Sequence, residues 1–365
     1  MNVYLYINLI IIFLAIFFNV IKLRGNNEHS LDKGVDYTNN MLFCGLISIF
    51  MIFISGFRGP FSVDYYNYVY LFNKSGESTI SHILFGNIEL ERGYSFLNKI
   101  IYSINKEPVL LMTVISAIIV ISYIYTFKKY SDYVWLSVLL LLTLGSYYTS
   151  FNTIRQFLAA ALTFVAAKYI YEEKFTKYVL CIVLISTIHV STLIMIPFYY
   201  LLRIRWNKWK NMFLLLILIS IYGVIFIKHD MFVNFFIERF FKGYSGQNAF
   251  GISEGVSFIY VARPVLLFIF SLYSLTKMKL EDVKFRVWFN ASIYLLLFSI
   301  LSTRVEMIQR FTYFFLPYLM LLIPNTLKKI DKKADRTILI VIVVILVSLY
   351  SYLTQRNETF YFIWE

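Results

Sequence analysis

The feature that most constrains this chain is a series of long apolar runs, each near the length that crosses a lipid bilayer as a helix. Such a crossing takes about 20 apolar residues. Of the 365 residues, 59% are hydrophobic and only 15% are charged, whereas about a quarter of a soluble domain is charged. The sequence therefore predicts an all-α, polytopic membrane protein, whose apolar runs are 3–21, 41–57, 109–127, 133–149, 153–171, 178–202, 211–227, 257–276, 287–302, 311–327 and 337–353.

Two longer polar segments, 58–108 and 228–256, interrupt the apolar runs. Both contain aromatic and apolar residues, so we expect folded structure there, with helices in the first segment. The sequence shows no internal repeat and no low-complexity linker. We therefore interpret 1–365 as a single integral-membrane domain.

The formal net charge of +13 is the kind of value that nucleic-acid-binding proteins show. Here the basic residues lie in short loops between apolar runs, which is typical of cytoplasmic loops in membrane proteins. We therefore predict no nucleic-acid partner. Cys44 and Cys181 both lie inside apolar runs, and their spacing indicates neither a metal site nor a disulfide framework.

The run 178–202 has basic loops at both ends, "KYIYEEKFTK" before it and "RIRWNKWK" after it. One crossing cannot place both ends in the cytoplasm. His189 lies at the centre of this run, within "STIHVST". We predict a re-entrant hairpin of two half-helices of about 12 residues each, with about ten other crossings and both termini outside. A single long crossing with an imperfect charge pattern is the alternative.

Arginine and lysine distribute differently across this predicted topology. Lysine dominates the cytoplasmic loops, which contain Arg24, Arg203, Arg205, Arg286 and Arg336. Arginine dominates the outer side, where the orientation rule disfavours positive charge, with Arg58, Arg92, Arg155, Arg239, Arg263, Arg304, Arg310 and Arg356. A guanidinium group binds two phosphate oxygens at once and always keeps its charge. The pattern favours a phosphate or diphosphate ligand at the outer face, and a lipid-linked diphosphate fits both the location and the charge.

Arg155 is the only charged residue between Tyr133 and Ala167. An arginine inside a membrane helix is costly, which makes it a functional hypothesis. The alternatives are that Arg155 reaches the outer headgroups or pairs with a carboxylate. Arg310 has a local carboxylate for such a pair, because Glu306 is four residues before it.

Five segments, in order, resemble motifs of the EpsG-type polysaccharide polymerases, relatives of the Wzy polymerases of O-antigen and capsule synthesis. They are "FRGPFSVDYYNYVYLF", "ERGYSFLNKII", "FNTIRQFLAAALTFVAAKYI", "STIHVSTLIMIP" and "RFTYFFLPYLMLLIP". The resemblance covers roughly residues 55–320. It implies transfer of a growing glycan from undecaprenyl diphosphate to the next lipid-linked repeat unit, at the outer, periplasmic face of a bacterial inner membrane.

The resemblance also implies roles for particular residues. A general base must deprotonate the acceptor hydroxyl, and cations must stabilise the leaving diphosphate. His189 is the candidate base, and Asp64 and Glu91 would orient sugar hydroxyls. The alternative is that Asp64 or Glu91 is the base, in which case His189 is a packed, hydrogen-bonded histidine. The catalytic set is His189, Arg155 and Asp64, and the substrate-binding set is Arg58, Glu91, Tyr94, Arg263, Arg304, Arg310 and Tyr313.

The same resemblance implies no metal or other cofactor. Its partners would be undecaprenyl-diphosphate-linked glycans and membrane lipid, with a chain-length regulator and a flippase as possible protein partners. Other classes stay open: a flippase or transporter of lipid-linked oligosaccharide, a membrane acyltransferase, or a metal-dependent glycosyltransferase using Glu89 and Glu91. A flippase would need arginines that are reachable from both sides of the membrane.

Overall fold

The computed structural model describes residues 6–15, 17, 32–62, 64–86, 90–205, 223, 259–304, 306–355 and 360–364. Over these ranges the chain forms helices joined by short turns, with no β-strand. The all-α class predicted from the apolar runs is therefore confirmed.

Most helices follow one another with only a few intervening residues. In chain order they are α1 (Tyr6–Ala15), α2 (Asp32–Gly56), α3 (Tyr65–Glu77), α4 (Ile80–Phe85), α5 (Arg92–Ile104), α6 (Pro108–Tyr130), α7 (Val134–Thr143), α8 (Ser146–Thr149), α9 (Ile154–Ala166), α10 (Lys168–Tyr171), α11 (Phe175–Ser186), α12 (Val190–Leu201), α13 (Ile259–Ser274), α14 (Val283–Ser302), α15 (Thr312–Lys328) and α16 (Lys333–Gln355). The first turns of α12 and the residues Glu306–Phe311 before α15 are 3-10 helix.

Among the described residues, four helical stretches are long and apolar enough to cross a membrane: α6, α14, α16 and Glu306–Lys328. Six shorter apolar helices accompany them, including α7, α11 and α12. The protein is therefore embedded in a membrane, as predicted. The predicted run 211–227 lies outside the described residues, and the number of ten crossings stays a prediction.

The transmembrane helix α6 shows why its sequence starts and stops where it does. Pro108 occupies the first helical position, where a missing N–H costs nothing. Lys128 and Lys129 lie in the last turn, where their charges complement the helix dipole. Ser116 of α6 meets Ser55 of α2 through a buried hydroxyl pair at 2.6 Å, a polar contact of the kind that joins membrane helices.

The segment around His189 folds as a helical hairpin. The Tyr178 hydroxyl of α11 donates to the Met195 carbonyl of α12 over 3.2 Å. A continuous helix would separate these two residues by about 25 Å, so the chain reverses between them. Thr187, Ile188 and His189 form the tip, which agrees with the predicted break. Which side of the membrane the hairpin enters from stays a prediction.

The polar segment 58–108 contains α3, α4 and α5, so its predicted helical content is confirmed. The other polar segment, 228–256, lies outside the described residues. The C-terminal residues 360–363 run antiparallel to 57–59: the Gly59 amide donates to the Tyr361 carbonyl at 2.7 Å, and the Ile363 amide to the Phe57 carbonyl at 3.1 Å. The end of α2 is thus covered by the end of the chain.

The chain divides into two compact units, Met1–Ile196 with Leu327–Glu365, and Pro197–Thr326. In the second unit, α13 packs on α14. The Asn290 amide of α14 donates to the carbonyls of Leu202 and Ile204, both at 2.9 Å. The interpretation of the chain as one domain stays a prediction.

Candidate functional site

A carboxylate that holds two basic side chains forms the centre of the candidate site in the first unit. Arg155 Nη1 donates to Glu91 Oε2 at 2.6 Å. His189 Nδ1 lies 3.1 Å from Glu91 Oε1, which also accepts a bond from the Val190 amide at 3.3 Å. The side chains of Arg155, Glu91 and His189 are each 17–19% exposed. The cluster is therefore mostly enclosed.

Each residue of this Glu91–Arg155–His189 cluster occupies the end of a different element. Glu91 is the residue before α5, and Arg155 is the second residue of α9. His189 lies at the hairpin tip in extended backbone, just before α12. Helix termini and a chain reversal thus bring together side chains that are 64 and 98 residues from Glu91 in sequence.

Gly93 explains how the start of α5 approaches the hairpin tip so closely. The amides of Gly93 and Tyr94 both donate to the Thr187 carbonyl, at 2.8 and 3.2 Å. A Cβ atom at position 93 would lie 2.8 Å from the Thr187 Cβ and carbonyl oxygen, and closer still to its hydroxyl. A residue without a side chain is therefore needed here, and Gly93 fixes Glu91 next to His189.

The charges around Glu91 keep its carboxylate ionised. Burial raises the pKa of Glu91, but the hydrogen bond with His189 and the charge of Arg155 lower it by more, to about 2. An ionised carboxylate only accepts hydrogen bonds, so His189 Nδ1 is the donor in this contact. In the neutral imidazole Nε2 is then the acceptor, and no hydrogen bond to it is present within the described part of the chain.

The ring of Tyr94 packs against the Arg155 guanidinium of the cluster. Its side chain is fully buried, and the Arg155 guanidinium lies 5.8 Å from its ring centroid. Its hydroxyl has no hydrogen-bond partner among the described residues. One turn later on α5, the fully buried Asn98 amide also has none in these ranges. Sequence reasoning did not find Asn98, since a single asparagine in an amphipathic helix carries no signal.

Arg58 lies in a different environment from Arg155. It is 1% exposed, and its guanidinium contacts the Ser55 carbonyl, the Met112 sulfur at 3.2 Å and the Phe151 carbonyl at 3.3 Å. These contacts give it a structural role at the end of α2, and its direct part in ligand binding stays a prediction. Asp64 is half-buried just before α3 and makes no side-chain cap bond.

The remaining predicted residues belong to the second unit. Arg263 and Tyr313 are half-buried, and Arg304 and Arg310 are exposed. Their predicted binding of diphosphate stays a prediction. Of the predicted set, the structure thus brings together Glu91, Tyr94, Arg155 and His189.

The hydroxyl groups around His189 do not hydrogen-bond to its ring. Ser186, Thr187 and Thr192 each donate to the backbone carbonyl three residues earlier, at 2.7, 2.7 and 2.8 Å. They thereby satisfy carbonyls at the hairpin tip. Over the described ranges, no group of three or more His, Cys, Asp or Glu side chains is placed to hold a metal ion. Glu89 lies outside these ranges.

One alternative interpretation of Arg155 was that it pairs with a carboxylate. The structure contains this pair, and the partner, Glu91, is remote in sequence. A carboxylate that orients a histidine is an arrangement for proton transfer, and an arginine beside it supplies positive charge. The fold and this cluster define a polytopic helical membrane protein with a mostly enclosed cluster of a carboxylate, a histidine and an arginine.

The EpsG family model matches residues 41–363, and the chain belongs to the EpsG family. This is a family of Wzy-like polysaccharide polymerases, so the chain has a membrane polysaccharide polymerase-type, glycosyltransferase-like role. No curated protein matches it, and no solved structure matches it.

Proposed function

We propose that the protein polymerises undecaprenyl-diphosphate-linked oligosaccharide repeat units at the outer face of a bacterial cytoplasmic membrane. The observation that carries this proposal is the Glu91 carboxylate, which holds His189 through one oxygen and Arg155 through the other. Such a reaction needs a base and a cation side by side, and the cluster supplies both.

In the proposed reaction, His189 Nε2 takes the proton of the acceptor hydroxyl, and Glu91 stabilises the imidazolium that forms. The acceptor oxygen bonds to the anomeric carbon of the donor glycan. The bond from that carbon to the diphosphate oxygen breaks, and its electron pair stays on undecaprenyl diphosphate. Arg155 stabilises this leaving group, and the Tyr94 ring packs against the Arg155 guanidinium.

We further propose that the reaction is metal-independent. Transfer to a hydroxyl then depends on the histidine base and on guanidinium charge, with Arg58, Arg263, Arg304, Arg310 and Tyr313 as additional binding residues and Asp64 as a residue for sugar hydroxyls. A chain-length regulator and a flippase are the proposed partners. A metal-independent enzyme should keep its activity in the presence of chelator. The alternative, a metal-dependent transferase that uses Glu89 and Glu91, should lose its activity there.

The test uses purified protein with lipid-linked repeat units, in the presence of chelator. His189→Gln should polymerise at least about a hundredfold more slowly than the wild type, because glutamine cannot transfer the proton. His82→Gln is the matched control, since His82 is an exposed histidine of α4, and it should retain the wild-type rate. A near-normal rate for His189→Gln would remove the base role, and loss of wild-type activity in chelator would support the metal-dependent alternative.

A further inference from the structure

The helix α5 has a buried face and an exposed face, and between the exposed Arg92 in its first turn and the exposed Ser103 near its end the exposed face is apolar. Phe96, Ile100 and Ile104 follow one another at four-residue spacing and are 40%, 44% and 74% exposed. Tyr94 and Asn98 lie on the buried face. A surface helix that faces water normally exposes mainly polar residues, whereas three of the five exposed residues of α5 are large and apolar.

The neighbouring helix α4 extends the apolar surface. It contacts α5, and its Ile80, Leu84 and Phe85 are 53%, 40% and 82% exposed; its polar residues Ser81 and His82 are exposed as well. Single exposed apolar residues are ordinary, but a contiguous group marks contact with a partner or a membrane. We call the six residues Ile80, Leu84, Phe85, Phe96, Ile100 and Ile104 the apolar strip.

The hairpin fixes the depth of one end of α5. Its two arms, α11 and α12, have 12 residues each, which is about 18 Å of helix against a hydrocarbon core of about 30 Å. The charged Lys174, just before α11, keeps this end of the hairpin at a membrane surface. The tip therefore lies inside the bilayer, and the first turn of α5 bonds to the tip through Thr187.

The other end of α5 leads directly into a membrane-spanning helix. Only three residues separate Ile104 from Pro108, where α6 begins. With the basic end of α6, Lys128 and Lys129, on the same side as the basic end of the hairpin, the end of α5 lies near the opposite membrane surface. The helix thus runs between the depth of the hairpin tip and that surface, and its apolar strip continues the lipid-facing surface of the protein.

We propose that α4 and α5 are embedded in the half of the bilayer opposite the hairpin base, with the apolar strip in contact with lipid acyl chains. Amphipathic helices bind membranes in this way, with their apolar face among the acyl chains. The polar end of α5, at Glu91, then lies at the border between lipid and the candidate site. Lipid reaches this border by lateral diffusion.

The neighbouring helix α3 provides a contrast within the same segment. Its exposed residues form a stripe that is aromatic and polar, without aliphatic side chains: Tyr66, Asn67, Tyr70, Asn73, Lys74 and Glu77. Such a face suits water or headgroups rather than acyl chains. Tyr70, which is 55% exposed, is therefore a matched control for Ile100.

The experiment places a nitroxide spin label at single cysteines in a background in which Cys44 and Cys181 are replaced by alanine. Ile100→Cys, Phe96→Cys and Tyr70→Cys are reconstituted into phosphatidylethanolamine–phosphatidylglycerol liposomes. Collision with oxygen, which concentrates in lipid, is compared with collision with a water-soluble nickel complex. The ratio of oxygen to nickel accessibility should be at least roughly threefold higher at 96 and 100 than at 70.

Two results would overturn the proposal. Nickel accessibility at 96 and 100 equal to that at 70 would show that the strip faces water. Labels at 96 and 100 that neither reagent reaches would show that protein covers the strip. Reconstituted polymerisation activity is measured for each variant, and Ile104→Cys replaces any position whose label abolishes it.

Discussion

At the scale of single residues, Glu91 matters through what it holds. One of its oxygens accepts from Arg155 and the other from His189, so one substitution acts on both the base and the cation. The carboxylate does not need to contact substrate to have this effect. It acts as a positioning residue.

Glu91→Gln should slow polymerisation by about 10²-fold or more, since the amide cannot stabilise an imidazolium. The measurement is the initial rate with saturating lipid-linked acceptor. The loss should fall on kcat rather than on KM, because Glu91 acts through His189. Glu172→Gln is the control, since Glu172 is an exposed residue that pairs with Lys174 at 2.7 Å. Equal rates for the Glu91 variant and wild type would contradict the positioning role.

The pKa of Glu91 makes a second prediction, on stability. Because the folded-state pKa is about 2 and the ordinary value is 4.5, the ionised carboxylate stabilises the fold fully above about pH 4.5, and this contribution declines as pH falls toward 2. The thermal unfolding midpoint in detergent should thus fall more steeply from about pH 5 to about pH 3 in wild type than in Glu91→Gln. Parallel curves would show that Glu91 carries no such linkage.

Sequence reasoning found the members of the cluster but not their contacts. Arg155 stands out because it is the one charge in a long apolar stretch, and His189 because it breaks a run with basic ends. Glu91 is 64 and 98 residues from them, and no local periodicity encodes a contact at that distance. For Arg58, the structure adds contacts with Ser55, Met112 and Phe151 that the sequence did not indicate, and its predicted ligand binding stays a prediction.

At the scale of elements, the site depends on the contact between α5 and the hairpin tip. Two backbone amides at the start of α5 share the Thr187 carbonyl. The sequence predicted the hairpin because its charges and polar centre are local signals. It could not predict that α5 binds the tip, since backbone contacts between distant elements leave no pattern in side chains.

Gly93→Ala should separate α5 from the hairpin tip. Alanine normally favours a helix over glycine by roughly 0.5–1 kcal/mol, but the added methyl group would overlap Thr187. The overlap involves backbone as well as side chain, so we expect it to outweigh the helix propensity. Polymerisation should fall at least about tenfold, in line with misplacement of a catalytic group.

Gly45→Ala is the matched control for this substitution. Gly45 lies within α2, and no atom is within 4 Å of a Cβ placed there. Its activity should equal that of wild type, with an unchanged or higher unfolding midpoint. If Gly93→Ala behaved like Gly45→Ala, the close contact at Thr187 would not be needed for activity.

At the scale of the whole molecule, contacts within the first unit join N-terminal helices to the C-terminal part of the chain. Asn8 of α1 donates to the Ser351 hydroxyl of α16 at 2.9 Å, and residues 360–363 pair with 57–59. The family match likewise runs from 41 to 363. The C-terminal part, for which sequence motifs gave no role, therefore belongs to the structure that supports the site.

The orientation of this molecule in the membrane makes the last prediction. Both ends of the hairpin should face the cytoplasm, because basic residues flank α11 and follow α12, and α3 should lie outside. Single cysteines at Phe175, Asn207 and Tyr70, in a background lacking Cys44 and Cys181, are probed with an impermeant thiol reagent. In intact cells only the cysteine at 70 should react, and in opened cells all three should.

Asn207 lies just beyond the described residues, within the basic loop, so its labelling reports sidedness rather than local structure. Reaction at only one of 175 and 207 in intact cells would mean that the segment between them crosses the membrane once, against the hairpin geometry set by Tyr178 and Met195. Reaction at both, with protection at 70, would invert the topology. The Glu91–Arg155–His189 cluster would then face the cytoplasm, where a glycan assembled outside the cell could not reach it.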